Sequence, residues 1–500
     1  MPEHLTQGKK RQPAPSVLMI GSEAVPFAKT GGLADVLGAL PRALARLGWS
    51  ITVALPRYRG VAAGTLIEHF PVGLGAYTRE VAFYEVALEA GARALLVDCP
   101  DLFDREGLYG TDNVDYPDNA RRFAMLVRAA LELTARRATG PTLVHAHDWQ
   151  AGLAPVYLKT LYASHPVLGG APSVFTIHNI AYQGLFESNW LPRLDLPWEL
   201  LTPERLEYWG GISFLKGGIM DAATVTTVSR QYAREIQTPE LGCGFDGIVR
   251  GRSADLVGIT NGIDADQWDP SRDPFLPRTF SAKDLSGKEA AKREVLACYS
   301  LPLDAATMAR PLVGMISRMV DQKGFDLIAS MAEELFQLDA TWVVLGTGEA
   351  RYQNFWTKTA ARHPDRVGVR IGFNEQLAHL IEAGADMFFM PSRFEPCGLN
   401  QMYSLRYGTV PVVHGVGGLI DTVRDYAPRD AKSTGFVFRE YTTSAVIDAL
   451  RRAMAVFADK GRWRALQAAG MRQDNSWDRS AREYVKIYER AFSRAARAGA

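Results

Sequence analysis

Short apolar, β-branched runs punctuate the first half of the chain at residues 17–21, 50–55, 94–97, 143–145, 173–177, 223–228 and 256–259. Between them lie helix-length segments with apolar positions every three to four residues, as in the run from Leu37 to Leu47. Strands that are apolar throughout have both faces covered, so this alternation predicts a parallel α/β sheet with crossover helices. The pattern then restarts, with strand candidates at 312–316, 341–345, 367–371, 387–390 and 410–413. Two doubly wound domains are the expected architecture, with ligands at the carboxyl ends of the strands and both sets of ends facing a deep interdomain cleft. The predicted divisions are a disordered tail over 1–16, a first domain over 17–257, a second over 258–478 and a terminal segment over 479–500. Thr260-Asn261-Gly262 is a turn-forming triplet suited to a hinge at the boundary. Residues 480–494 predict a polar-faced helix, and the Ala/Arg-rich residues after Phe492 are expected to fray.

Composition agrees with two cores: 500 residues exceed what one usually supports, and 47% hydrophobic residues can fill two. Lys+Arg 56 against Asp+Glu 55 gives a net charge of +1, which carries no electrostatic footprint for nucleic acid or an anionic membrane. No apolar run approaches the roughly 20 residues that span a bilayer. Cys99, Cys243, Cys298 and Cys397 are scattered and form no C-x-x-C, which favours a reducing cytoplasm over a disulfide framework or zinc site. The first residues have no apolar h-region, so a signal peptide is not expected; removal of a transit peptide would place the protein in a plastid instead. The sequence specifies no oligomeric state.

Candidate chemistry clusters just after the predicted strands. Lys29-Thr30-Gly31-Gly32-Leu33-Ala34-Asp35 puts a glycine pair behind a lysine at a helix start, where backbone N–H groups and the helix dipole favour an anion. Its spacing fits neither G-x-G-x-x-G nor the P-loop, and a strand-to-helix turn needing glycines is the alternative. Arg318 and Lys323 stand five residues apart after 312–316, placed to meet a diphosphate or, as most such cations are, simply solvated. Glu395 follows 387–390, ahead of a Gly-containing helix start at Cys397-Gly398-Leu399, where N–H groups again suit phosphate. His145-Ala146-His147-Asp148 and His178-Asn179 each follow a strand; His145 and His147 are assigned to opposite faces, and with H-E-x-x-H absent no metal is expected.

Lys29-Thr30-Gly31-Gly32-Leu33 resembles the N-terminal signature of bacterial glycogen synthases and plant starch synthases, which transfer glucose from a sugar nucleotide to an α-1,4-glucan. Ser317 to Gly324 resembles that family's Arg-and-Lys motif, Pro391 to Gln401 matches its Glu-containing segment nearly residue for residue, and the motifs stand in family order from about Val17 to the last helix. The resemblance implies Rossmann-like domains of GT-B type, with the terminal helix returning to the first domain. It implies ADP-glucose as donor, glycogen or another α-1,4-glucan as acceptor, retention of configuration, and no cofactor. It makes Lys29, His178, Arg318, Lys323 and Glu395 catalytic, with Gly31, Gly32, Tyr109, Asp148, Asn261, Phe373, Cys397, Gly398 and Leu399 binding substrate.

Departures exist. Tyr403 stands where many two-domain retaining transferases carry a second Glu, as expected in this branch; Asn400 stands where bacterial members often have Thr, and Phe373 where the adenine-stacking residue is usually Tyr. Asp264-Ala265-Asp266 imitates the Asp-x-Asp metal motif of another architecture and is discounted. Gly415-Val416-Gly417-Gly418-Leu419 reads as one more anion-facing loop. Rival readings are a transferase making a small glucoside, a silent glucan-binding scaffold that should have lost a catalytic residue, and a phosphorylase, for which no pyridoxal phosphate lysine segment is visible.

Overall fold

The computed structural model describes residues 16–498 apart from 112, 113, 139 and 141. Of the expected tail, 1–15 lie outside the described residues. Ser16 is not tail: it begins strand Ser16–Ile20, pairs with Ser50 and Thr142, and its hydroxyl lies 2.7 Å from that of Thr142.

The chain divides into two compact units. The first contains residues to Thr226, Gly247–Leu256 and the chain from Ala481; the second contains Thr227–Asp246 and Val257–Ser480. This differs from the predicted division, which kept 227–246 with the first domain. The reason is specific bonding: Ser229 Oγ donates to Pro396 O at 2.6 Å, Gln231 N–H to Asp421 at 2.9 Å, and Gly417 N–H to the Glu235 carboxylate at 2.9 Å.

The first unit holds all but a few edge residues of a nine-stranded sheet whose order, from one edge, is Leu256–Gly258, Thr224–Thr227, Ser173–Ile177, Thr142–His147, Ser16–Ile20, Ser50–Pro56, Arg93–Asp98, Tyr77–Ala87 and Thr65–Leu74. The last two form an antiparallel hairpin with a bulge at Leu66/Glu68, paired antiparallel to Arg93–Asp98, so the sheet is mixed and not wholly parallel. Ser16–Ile20 lies parallel between Ser50–Pro56 and Thr142–His147, and the chain order runs outward in opposite directions from it. That is a topological switch point, and such sheets open a crevice at the carboxyl ends there.

The second unit repeats the design in the order Val367–Ile371, Thr341–Gly346, Leu312–Ile316, Met387–Met390, Val410–His414, Phe436–Phe438, all parallel. Alternate residues enter two cores on opposite faces: Val313, Trp342, Val344, Met387 and Phe389 in one, Leu312, Val343, Leu345, Phe388 and Met390 in the other. Both faces are covered, which is why these strands read as unbroken apolar runs. The switch point falls between Leu312–Ile316 and Met387–Met390.

The final helix, Trp477–Ala498, is longer at both ends than predicted and extends into the segment expected to fray. From Ala481 onward it belongs to the first unit, where Tyr488 OH lies 2.8 Å from His145 Nδ1 and Arg494 pairs with Asp255 at 3.0 Å.

Candidate active site

In the first unit, strand Ser16–Ile20 delivers Ser22 and Glu23 at its carboxyl end, both buried. The Glu23 carboxylate accepts the Thr30 N–H, the Thr30 hydroxyl at 2.6 Å, the Gly31 N–H at 3.2 Å and the Tyr109 hydroxyl. Tyr109 OH also lies 2.8 Å from Ser22 Oγ. The anion at the glycine loop is therefore an internal carboxylate, and an arriving phosphate would have to take the Thr30 and Gly31 donors from it. Space above the loop is open: a Cβ at Gly31 or Gly32 would meet nothing within 4 Å. Gly31 is the N-cap of helix Gly32–Arg46, and Lys29 is paired to Asp35 at 2.6 Å with its side chain 48% exposed.

The neighbouring strand Thr142–His147 ends in a histidine cluster. His145 and His147 do not face opposite sides: positions two apart in a strand share a face, and the rings lie 4.0 Å apart. His145 turns into the core, 2.7 Å from Thr176 Oγ1 and bonded to Tyr488. His147 Nδ1 lies 3.0 Å from His178 Nε2, while His147 Nε2 is buried with no partner among the described residues. Burial lowers all three imidazoles, His145 and His178 to about 3, so they are neutral at pH 7. Asp148 begins the next short helix at φ 56, a conformation that costs a non-glycine residue about 1–3 kcal/mol and is concentrated at functional sites. Its carboxylate accepts the His178 N–H at 2.7 Å, and burial pushes it up to about 7 against the opposing pull of the His178 and Asn179 N–H groups. Among the described residues no group of three or more His, Cys, Asp or Glu is arranged to hold a metal ion.

In the second unit, strand Leu312–Ile316 leads to Arg318, exposed and without an ion pair among the described residues, and then to the turn Asp321–Lys323. Lys323 Nζ lies 2.5 Å from a Glu395 carboxylate oxygen, with side chains 20% and 7% exposed. Ser392 Oγ donates to the same oxygen at 3.0 Å. The two loops are stitched by Arg393 N–H to Gln322 O at 2.9 Å and by Asn400 Nδ2 to Ile316 O at 2.7 Å. The Gly415–Leu419 loop keeps few open donors: Gly417 N–H goes to Glu235, and Gly418 N–H to Glu395 O at 3.2 Å.

Cys397 is buried, and burial pushes its thiol up to about 12, with the Asn261 N–H pulling the other way. Asn261 is itself buried, and its side-chain oxygen has no partner among the described residues. An orphaned acceptor of this kind invites an external hydroxyl. Gly398 takes φ 72 and Leu399 caps the helix Asn400–Arg406. Phe373 is 81% exposed at the rim of a pocket of about 340 Å³ lined by Leu345, Arg370 and Leu377. Tyr403, in place of a second glutamate, stacks on Trp268 at 3.8 Å. Asp264 and Asp266 are spent locally, Asp264 accepting the Asp266 N–H at 3.0 Å and Asp266 pairing with Arg272.

Within its unit, each switch point thus collects predicted residues: Tyr109, His178 and Asp148 in the first, Lys323, Glu395, Asn261 and Cys397 in the second. Sequence reasoning did not single out Glu23 or Glu235, and it gave His147 and Ser392, which lie inside the segments it did single out, no role of their own. The signal available was position, since Glu23 and Ser392 immediately follow switch-point strands as Arg318 does.

Residues 16–251 match the starch synthase catalytic domain and residues 305–457 match glycosyl transferases group 1. With two α/β units, one sheet largely and the other wholly parallel, these matches define a glycosyltransferase of GT-B type. The chain is 49% identical over 476 residues to the glycogen synthase of Anaeromyxobacter dehalogenans (strain 2CP-C), covering 94% of this chain and 98% of that one. It is 46% identical over 479 residues to that of Koribacter versatilis (strain Ellin345), covering 95% and 98%. Among solved structures, the catalytic domain of starch synthase IV from Arabidopsis thaliana, bound to ADP and acarbose, superposes with a TM-score of 0.87 at 33% identity, covering 96% of this chain and all of that one. Sucrose-phosphate synthase from Thermosynechococcus elongatus shares the fold, at TM-score 0.61 and 16% identity. The chain belongs to the glycogen and starch synthase family. No helix among the described residues is long and apolar enough to cross a membrane.

Proposed function

We propose that this glycosyltransferase moves glucose from ADP-glucose to the non-reducing 4-hydroxyl end of an α-1,4-glucan, releasing ADP with retention of configuration. The observation that carries the reading is the Lys323–Glu395 pair at the second unit's switch point, with exposed Arg318 leaving the same strand that leads to Lys323. Held by Glu395, Lys323 keeps further ammonium protons for a phosphate oxygen, and Arg318 adds a fork of donors. Each charge-assisted bond is worth about 1.5–3 kcal/mol and strengthens as charge builds on the departing diphosphate. The ADP-bound Arabidopsis relative and the Phe373 pocket support adenine as the base, with the phenyl ring stacking on it. Lys29 serves the same diphosphate in this reading, a role that requires it to leave Asp35.

His178, neutral, and Asn261, through its unpaired oxygen, hydrogen-bond the glucose; Glu395 fixes Lys323 and stabilises positive charge on the sugar ring. Asp148 orders the His178 segment, and Tyr109 contacts the sugars beside the Glu23 network. The bond from the anomeric carbon to the phosphate oxygen breaks on the face where the acceptor oxygen bonds, and the acceptor's hydroxyl proton passes to the departing phosphate. No cofactor takes part, and the reaction belongs to the cytoplasm. The test is labelled-glucose transfer with ADP-glucose and UDP-glucose compared on one glucan primer. Faster elongation from ADP-glucose is expected; elongation from neither donor, with turnover onto a small acceptor, would overturn the reading.

A further inference from the structure

A three-stranded antiparallel sheet in the first unit, Leu185–Glu187, Gly211–Ser213 and Glu207–Tyr208, carries a tryptophan that packing does not explain. Trp209 is 89% exposed, the most open of the large hydrophobic residues among those described. It occupies the first position of the two-residue turn Trp209-Gly210, with φ of 51 and 79. Turns with both central residues at positive φ favour Asn, Asp or Gly, and a bulky side chain there is an outlier. An indole that buries almost nothing and opposes its own backbone conformation is best accounted for by something that binds it.

We propose that Trp209, with Tyr208 and Leu185, forms a platform for the glucan chain beyond the unit being extended, an inference that rests on the glucan acceptor proposed above. The three residues line a surface pocket of about 610 Å³ whose rim carries Glu187 and Asn189, the amide donating to the carboxylate at 2.7 Å. An aromatic floor with an uncharged amide and a single carboxylate at its edge matches a neutral sugar, whose C–H face is apolar and whose rim is all hydroxyls. It does not suit a polyanion. The platform is also continuous with the candidate site. The segment beginning at His178 runs directly into strand Leu185–Glu187; Phe186 of that strand lies 5.8 Å from the ring of Trp149, the neighbour of Asp148, and a Cβ at Gly184 would collide with the same indole. The segment from His178 to the sheet that carries Trp209 is thus one packed stretch, and in this proposal a long glucan whose end sits at His178 follows it to Trp209 while a trisaccharide does not.

The test compares the full-length wild type with Trp209→Asn, which suits the turn and so should melt no lower, and with Trp209→Tyr. With saturating ADP-glucose, Trp209→Asn should raise the KM for long amylose about fivefold, a stacking-sized effect, while shifting that for maltotriose less than about twofold. Retardation in amylose-containing gels should fall in parallel, and Trp209→Tyr should restore most of both. Equal behaviour of wild type and Trp209→Asn toward long amylose would overturn the platform while leaving the proposed reaction standing, as would KM values for long and short acceptors that rise together. A wild type that transfers no glucose yet binds amylose through Trp209 would overturn the proposed reaction and support the platform.

Discussion

The Lys323 ammonium and the Glu395 carboxylate, 2.5 Å apart in a half-buried setting, neutralise one another until a third charge arrives. A diphosphate taking up charge as it leaves is that third charge, so the lysine matters most in the transition state. Lys323→Ala should lower kcat about a hundredfold with little change in KM for glucan, as for loss of one preorganised donor to a developing oxyanion; steady-state rates at saturating glucan check this, and an unchanged kcat would exclude the role. Asp148 yields a prediction of a different kind. The folded chain holds its proton up to about pH 7, whereas an unfolded chain releases it near 3.8, so this carboxyl makes stability fall as pH rises through that window. An amide does not titrate, and Asp148→Asn should therefore gain on the wild type from pH about 4 to about 7, by at most about 4 kcal/mol. The neutral histidines favour stability in the opposite direction, but they are common to both proteins and cancel in the difference. Urea unfolding across that range decides it, a pH-independent gap counting against a buried, titrating Asp148. Lys323, Glu395 and Asp148 could be named from sequence because each follows an apolar run within a segment that resembles the family's. Glu23 follows an apolar run too, but its role was not readable, since nothing local shows that Thr30, Gly31 and Tyr109, up to 86 residues away, will converge on it.

At the scale of elements, strands buried on both faces were the readable ones, because an apolar run such as Met387–Met390 needs no partner to be recognised. The hairpin Thr65–Leu74 and Tyr77–Ala87 was not readable: its pattern mixes exposed and buried positions, a bulge shifts the register at Leu66/Glu68, and Pro71, paired with Glu80, stands inside a strand where proline argues against one. The strands beside Trp209 are two or three residues long, too short for any periodicity. Loops, by contrast, are set by backbone approach. Gly417 takes φ 45 beneath the Glu395 loop, its N–H held by Glu235, and a Cβ there would collide with the Glu395 carbonyl. Gly417→Ala should cost about 1–3 kcal/mol from backbone strain alone. Because the collision falls on the Glu395 backbone, kcat should drop along with the melting temperature. Loss of stability with full kcat would show that the two loops are not coupled.

At the scale of the molecule, the division of the chain is itself a claim about energetics. Residues Thr227–Asp246 precede the predicted boundary yet complete the second unit: they satisfy the Pro396 carbonyl through Ser229 and the Gly417 N–H through Glu235, and Ile259 N–H donates to Thr227 O at 2.8 Å. The pattern of apolar runs could not reveal this, because it registers where strands lie and not which sheet's loops a short helix will serve. A fragment Val257–Ser480 keeps every strand of the second sheet but leaves those buried groups unpaired, at about 1–3 kcal/mol each. A fragment Thr227–Ser480 retains their partners. Melting followed by circular dichroism should therefore place the shorter fragment well below the longer one, the difference amounting to several of those bonds, and Ser229→Ala should impose part of that loss on the longer fragment. Coincident melting of the two fragments would mean that Thr227–Asp246 lies against the second unit without stabilising it.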